Sequence, residues 1–365
     1  MTLQTNTLGR HQSALIKVMR FPLIMLVLFE HSVGRDLSPM RPSLDGTSIY
    51  HFVTELVSHH LCSIAICWFF VFSGYLFFRN LEEGGFNWQW LSDKWKSRTR
   101  TVFIPHILWN LIYVLAILLV TALLHIAGIG INADLIPEVR KGPIYWFFTG
   151  PIDFPLWYLR DLSCMILLTP VFYYLTKKAP WFTLVLLLGL YLASFRVKFF
   201  LFPTFSYFGI GAWLGIRKRN MLAICQKVKF SAAILGLALA ILATCMYGND
   251  YHRLVRMVFL PFGMITFMNL CNNILRHPKL RNLTSHLSGS VFFIYAAHEI
   301  YILGWTKGLF VRMFGSYLAS RWINYIGVPV VTLAVCLALY YTLHKIMPRA
   351  LAFACGGRIH SAIKH

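Results

Sequence analysis

Long apolar runs recur along this chain, separated by short segments rich in Lys, Arg, Gly and Pro. A helix needs about 20 apolar residues to cross a hydrocarbon core of roughly 30 Å. About ten runs approach that length, at residues 17–34, 61–78, 102–126, 156–176, 181–195, 199–216, 230–247, 255–275, 289–306 and 324–346. The pair at 181–195 and 199–216 is short for two separate crossings. In lipid only helices and closed barrels satisfy their own backbone hydrogen bonds, and runs of this length have the dimension of helices. The expected fold is all-α: a polytopic integral membrane protein with about ten transmembrane helices. One transmembrane domain is expected to fill residues 1–365, with short tails and no fused soluble domain. No small-residue cleavage pattern follows the first run, so it is expected to stay in the mature protein.

Composition narrows the picture. Hydrophobic residues make up 58% of the 365 positions and charged residues 13%, against about a quarter charged in soluble domains. Six of the eight cysteines (Cys62, Cys67, Cys164, Cys245, Cys271 and Cys336) fall within spans, where a free thiol behaves as a small apolar side chain. No CxxC pair is present, so neither a disulfide framework nor a metal site is expected.

The net charge of +21 would suggest a nucleic-acid partner in a soluble protein, but here the basic residues follow alternate spans. Arg79, Lys94, Lys96, Arg98 and Arg100 follow the second span, and Lys177 and Lys178 the fourth. Arg217, Lys218, Arg219, Lys227 and Lys229 follow the sixth, and Arg276, Lys279 and Arg281 the eighth. The intervening connections set acids beside their bases: Arg35 and Arg41 with Asp36, Asp45 and Glu55, and Arg140 and Lys141 with Asp134, Glu138 and Asp153. The positive-inside rule then puts both termini in the cytoplasm, and Lys345, Arg349, Arg358 and Lys364 agree. Such loops bind anionic membrane lipid in any membrane protein. The dense segment from Arg79 to Arg100 would also meet a phosphate-rich cytoplasmic ligand first. No nucleic-acid partner is expected.

Ionisable residues inside spans are costly and are functional candidates by default. Arg20, Glu30 and His31 lie in the first span, His106 in the third, Arg160 and Asp161 at the start of the fourth, and His298 and Glu299 in the ninth. The 11 residues from Arg20 to His31 rise roughly 16 Å and turn about 1,100°, so both side chains return to one face of the helix. A histidine there can act as general base on a hydroxyl that attacks an acyl carbonyl, or it can simply tie neighbouring helices together. At His106, beside Pro105, the packing role is favoured.

Arg20, ten residues and then His31 resembles the Arg-x10-His signature of the membrane acyltransferase family 3, whose members O-acylate bacterial surface glycans. Four more segments match that family in order: "FFVFSGYLFF" (69–78), "SRTRTVFIPHILWN" (97–110), "PLWYLRDLSCMILLTPVFYYL" (155–175) and "SVFFIYAAHEIYI" (290–302). Two departures stand out. The family's Arg-x-x-Arg before the third span is here Arg98-Thr99-Arg100, and its Asp-Gly-Leu before the first Arg is here Lys17-Val18-Met19.

The resemblance implies a protein of the inner (cytoplasmic) membrane with a cytoplasmic acyl-CoA donor, most often acetyl-CoA, and a carbohydrate hydroxyl as acceptor. It implies no permanently bound cofactor. His31 would be the general base and Arg20 would hold the donor or stabilise the oxyanion. Arg98 and Arg100 would grip the CoA phosphates, with Ser73 and Gly74 forming a close approach for a helix or the pantetheine arm. Trp157, Arg160, His298 and Glu30 would line the acceptor side. Glu30 or another carboxylate could also orient His31, but neighbours on a helix point about 100° apart, so a contact between Glu30 and His31 is not implied. The competing class is a transporter or flippase for a glycan or lipid-linked sugar, against which stand the absence of an internal repeat and the gathering of charge in spans one, three, four and nine.

Overall fold

The structure, a computed structural model, describes residues 2–34, 38–41, 43–128, 139–193, 196–197 and 200–358. Of the charged residues that bear on orientation, Arg35, Asp36, Asp134, Glu138 and Lys364 lie outside the described residues. Among the described residues the chain is helical apart from a small antiparallel ladder pairing Arg196–Val197 with Phe200–Leu201.

The first helix, α1 (Thr2–Ser32), is followed by α2 (Gly46–Thr54), which continues through a π-helical turn (Glu55–Leu61) towards α3 (Ile64–Phe78). In the same way α4 (Trp88–Arg98) runs through a π turn (Thr99–Phe103) into α5 (Ile104–Ile126). Then come α6 (Trp157–Leu167), α7 (Thr169–Lys178), α8 (Pro180–Ala193), α9 (Phe202–Ile216), α10 (Met221–Lys227) and α11 (Lys229–Cys245). The last third holds α12 (His252–Arg276), α13 (Pro278–Leu287), α14 (Val291–Ala297), α15 (Leu303–Phe314), α16 (Leu318–Ile346) and α17 (Pro348–Ala354).

Helices stand at each of the ten expected regions, but they differ in length. Among the described residues, five are long and apolar enough to cross a membrane: Arg10–Ser32, Gly46–Phe78, Trp88–Ile126, His252–Arg276 and Leu318–Ile346. Two bent pairs, α10 with α11 at 76° and α13 with Val291–Phe314 at 51°, raise the number to seven if each pair is one span. The fourth region is divided at Leu168, and α8 and α9 have 14 and 15 residues, so ten full crossings do not follow from helix length. The protein is thus a predominantly helical, multi-pass membrane protein of the all-α class. Its outer surface agrees: Leu111, Leu115, Leu118, Leu119 and Leu123 form an outward stripe on α5, with Leu115 65% exposed. Such a face is stable only against lipid.

Two features of packing position the site. The first is the central place of α1, which touches α3, α12, α13, α14 and α16. The second is the tight crossing of α3 and α9. A Cβ added at Gly74 would sit 2.1 Å from Phe208 O, and one at Gly211 would sit 2.0 Å from Val71 O. With Gly211 and Gly215 spaced as small-xxx-small, the two backbones approach to a distance that only glycine permits.

Candidate active site

A cavity of about 1000 Å³ opens along one face of α1. Ser13, Ile16, Lys17, Arg20, Val27, Glu30 and His31 line it from that helix. Their spacing is that of one helical stripe, and Ser13 to His31 rises roughly 27 Å, most of a bilayer core. Arg20 and His31 therefore share one cavity, as helical periodicity implies. Facing them are Ser73 of α3, Arg98 of α4, Trp157 and Arg160 of α6, and Tyr295 of α14.

One end holds His31. Its Nδ1 lies 3.2 Å from Glu299 Oε1, and Lys307 Nζ donates to the His31 carbonyl at 2.6 Å. Glu299 reaches this position because the ninth apolar region is broken just beyond it. Ile300 (φ −71°, ψ 80°) leaves helical geometry and Tyr301 adopts φ 60°. A left-handed tyrosine costs on the order of 1–3 kcal/mol, and such strain is retained where the surrounding structure imposes it. His298, completely buried, stands behind His31 with ring centroids 5.4 Å apart. Its Nδ1 lies 3.0 Å from Ile294 O and 2.9 Å from Tyr295 O, so the ring proton resides on Nδ1. His298 is a support for His31 and does not line the cavity.

The other end is cationic. Lys17, Arg20, Arg79, Arg98 and Arg358 gather there; these and Arg160, on the wall nearer His31, face Glu30 as the one carboxylate lining the cavity among the described residues. Arg79 Nη1 donates to Ser13 Oγ at 2.8 Å. Arg358 is held by Nη2 to Thr101 O at 2.5 Å and Nη1 to Cys355 O at 3.0 Å, with its guanidinium 4.0 Å above the Phe292 ring. Burial pulls the Arg358 guanidinium down to about 10, which leaves it a cation at neutral pH. Arg358 arrives there because Gly356 and Gly357, at φ 61° and 73°, turn the chain back after α17. Trp109 Nε1 fixes that helix to α5 through Ala354 O at 3.0 Å.

Ser73 Oγ donates to Phe69 O at 2.8 Å and lies 2.9 Å from Tyr158 Oη. Tyr158 in turn lies within electrostatic reach of Arg20, Arg98 and Arg358. Arg160 is fixed by Nε and Nη2 to Asp161 Oδ1 at 2.9 and 2.8 Å, and by Nη1 to Thr149 O at 2.6 Å.

Besides His298, two expected site residues lie elsewhere. Arg100 is exposed in the π turn and does not line the cavity; the third guanidinium beside Arg20 and Arg98 is that of Arg358. Gly74 faces α9, so its close approach serves helix packing and not a ligand. His106 is buried and lies 2.9 Å by Nε2 from Phe147 O, a packing contact. The carboxylate at His31 is that of Glu299. Its signal in the sequence was its placement within a span directly after His298; Arg358, beyond the last span, carried no such signal.

This geometry sets an imidazole–carboxylate pair at one end of a membrane cavity and a cluster of guanidinium groups at the other. A family profile described as an acyltransferase domain, acyltransferase family 3, matches residues 14–341, and the chain belongs to that family. It is also similar to the succinoglycan biosynthesis protein ExoH of Rhizobium meliloti (strain 1021). The two are 23% identical over 360 residues, covering 95% of this chain and 92% of the relative. No solved structure matches the chain significantly.

Proposed function

We propose that this protein transfers an acyl group, acetyl in the first instance, from acyl-CoA to a hydroxyl of a surface or exported carbohydrate. The observation that carries the proposal is the two-ended cavity: a His31–Glu299 pair about 16 Å along α1 from Arg20, with guanidinium groups gathered at the Arg20 end. The likeness to a protein of succinoglycan biosynthesis supports a polysaccharide, or its lipid-linked precursor, as acceptor.

Arg20, Arg98 and Arg358 hold the CoA phosphates, a task suited to planar, permanently charged forks. The extended pantetheine arm then runs past Ser73 and Tyr158 and brings the thioester to His31. In this reading Arg20, roughly 16 Å along α1 from His31, grips the donor and does not reach the oxyanion. Glu299 holds Nδ1 of His31, which leaves Nε2 to take the acceptor proton. The acceptor oxygen attacks the acyl carbon, its proton passes to His31, and the C–S bond breaks. CoA leaves as a thiolate that recovers the proton from the imidazolium, and the products are an ester and CoA. Trp157 and Arg160 lie on the wall where a sugar ring would stack and hydrogen-bond. In this reading the chain lies in the inner membrane, its helices complete about ten passes through shortened or bent segments, and both termini face the cytoplasm.

The test is acyl-ester content of the surface glycan, by mass spectrometry, in cells with and without the gene and with His31→Ala. Loss of one ester type in both the deletion and the variant is expected. Full esterification with His31→Ala present at normal membrane level would reject the mechanism.

A further inference from the structure

A second group of ligating side chains lies apart from the cavity, where the π turn after α2 meets the start of α12. Glu55 and His60 are five residues apart. In an α-helix, at about 100° per residue, they would point to nearly opposite sides. The i→i+5 bonding of this turn, seen where Cys62 N donates to Val57 O at 2.9 Å, brings them together instead. His60 Nδ1 lies 3.7 Å from Glu55 Oε1 and 2.8 Å from Glu55 O. A carbonyl only accepts, so the ring proton is fixed on Nδ1 and Nε2 carries the lone pair. That Nε2 is 3.1 Å from His252 Nε2. One donor atom each from Glu55, His60 and His252 lies within 4.8 Å of the other two. Glu55 is 1% and His60 0% exposed, whereas His252, in the first turn of α12, is half-buried.

We propose that Glu55, His60 and His252 form a zinc site that ties the π turn to α12. Two nitrogens on a tetrahedral zinc, with Zn–N of roughly 2.0–2.1 Å, stand about 3.3 Å apart, close to the spacing of the two Nε2 atoms. An imidazole whose other nitrogen is held by a backbone carbonyl is the usual arrangement of a metal-bound histidine. Glu55 completes the set by a small side-chain adjustment, and the exposed edge of His252 leaves a path of entry and a fourth position for water. Two imidazoles with one carboxylate select zinc over magnesium or calcium, which take oxygen ligands. A divalent cation also offsets the cost of placing a carboxylate in an apolar bundle. None of its three residues lines the cavity.

The test uses the full chain in lipid nanodiscs, stripped with chelator, titrated with Zn²⁺ and desalted, with retained metal counted by elemental mass spectrometry. One zinc per chain is expected in the wild type and in His31→Asn, which alters the other histidine–carboxylate group. Both His60→Gln and His252→Asn should lose it, with affinity falling by more than the roughly 10- to 100-fold that loss of an outer partner costs. His252→Asn, half-buried, guards against a folding failure at His60, and elution as a single species shows that the variant is folded. No zinc retained by the wild type, or equal retention by folded His252→Asn, would overturn the proposal and leave a histidine–histidine hydrogen bond.

Discussion

Replacing Glu299 by Gln keeps the shape of the side chain and removes only its charge. The carboxylate oxygen is 3.2 Å from His31 Nδ1, with the two side chains 26% and 20% exposed. When His31 takes the acceptor proton it becomes an imidazolium, so the anion interacts with a full charge late in the reaction and with a neutral ring before it. At an effective dielectric of about 20, two unit charges at this distance attract by roughly 5 kcal/mol. Partial exposure and incomplete proton transfer in the transition state reduce the useful part to about 2–3 kcal/mol, or roughly 30- to 150-fold in rate. Donor binding, at the far end of the cavity, should not change. The assay is the initial rate of acyl-ester formation on glycan in membrane vesicles supplied with acetyl-CoA, at matched protein level, alongside a thermal-shift titration with the same donor. A rate within threefold of wild type, or a loss traced wholly to donor affinity, would refute the pairing as part of the chemistry.

Other outcomes follow from the same geometry. Arg98→Gln with Arg358→Gln should weaken acetyl-CoA binding more than about tenfold by thermal-shift titration, since each charge-assisted contact contributes about 1.5–3 kcal/mol; Arg100→Gln should bind as wild type. Gly74→Val drives a side chain into the Phe208 carbonyl, so a loss of about 1–3 kcal/mol, read as a lower melting temperature of the detergent-solubilised protein, is expected. Asp153, in the connection before α6, is completely buried, and burial holds its carboxyl well above the ordinary carboxylate range. A carboxyl raised on folding favours the folded state least at high pH. Its penalty grows by about 1.4 kcal/mol per pH unit from the unfolded value near 4 up to the folded one. Asp153→Asn should therefore raise the melting temperature more at pH 8 than at pH 5, and an equal effect at both would show that the carboxyl is not perturbed.

Much of this protein follows from local rules. Hydropathy gives a helical membrane protein because a helix is the economical way to hide a backbone in lipid, and helix existence is fixed by composition over one segment. The number of crossings is not local in that sense: Leu168 divides one region and the chain bends by 76° between α10 and α11, so an apolar run and a complete span are different things. Gly74 shows the same limit. A Ser-Gly step at the end of α3 signals close approach, yet whether helix or ligand approaches depends on α9, more than a hundred residues further on.

The sequence by itself determined that Arg20 and His31 share a face, because eleven residues close an almost whole number of helical turns regardless of what surrounds them. It also determined that Glu30 had no assured contact with His31, by the same angular rule. Only the tertiary structure decided that His31 meets Glu299, and that Arg358 rather than Arg100 joins Arg20 and Arg98. The first contact requires the break at Ile300 and Tyr301, and the second requires two glycines that fold the end of the chain back over the cavity. Both join residues hundreds of positions apart, where the energy of the contact comes from packing that no single segment encodes.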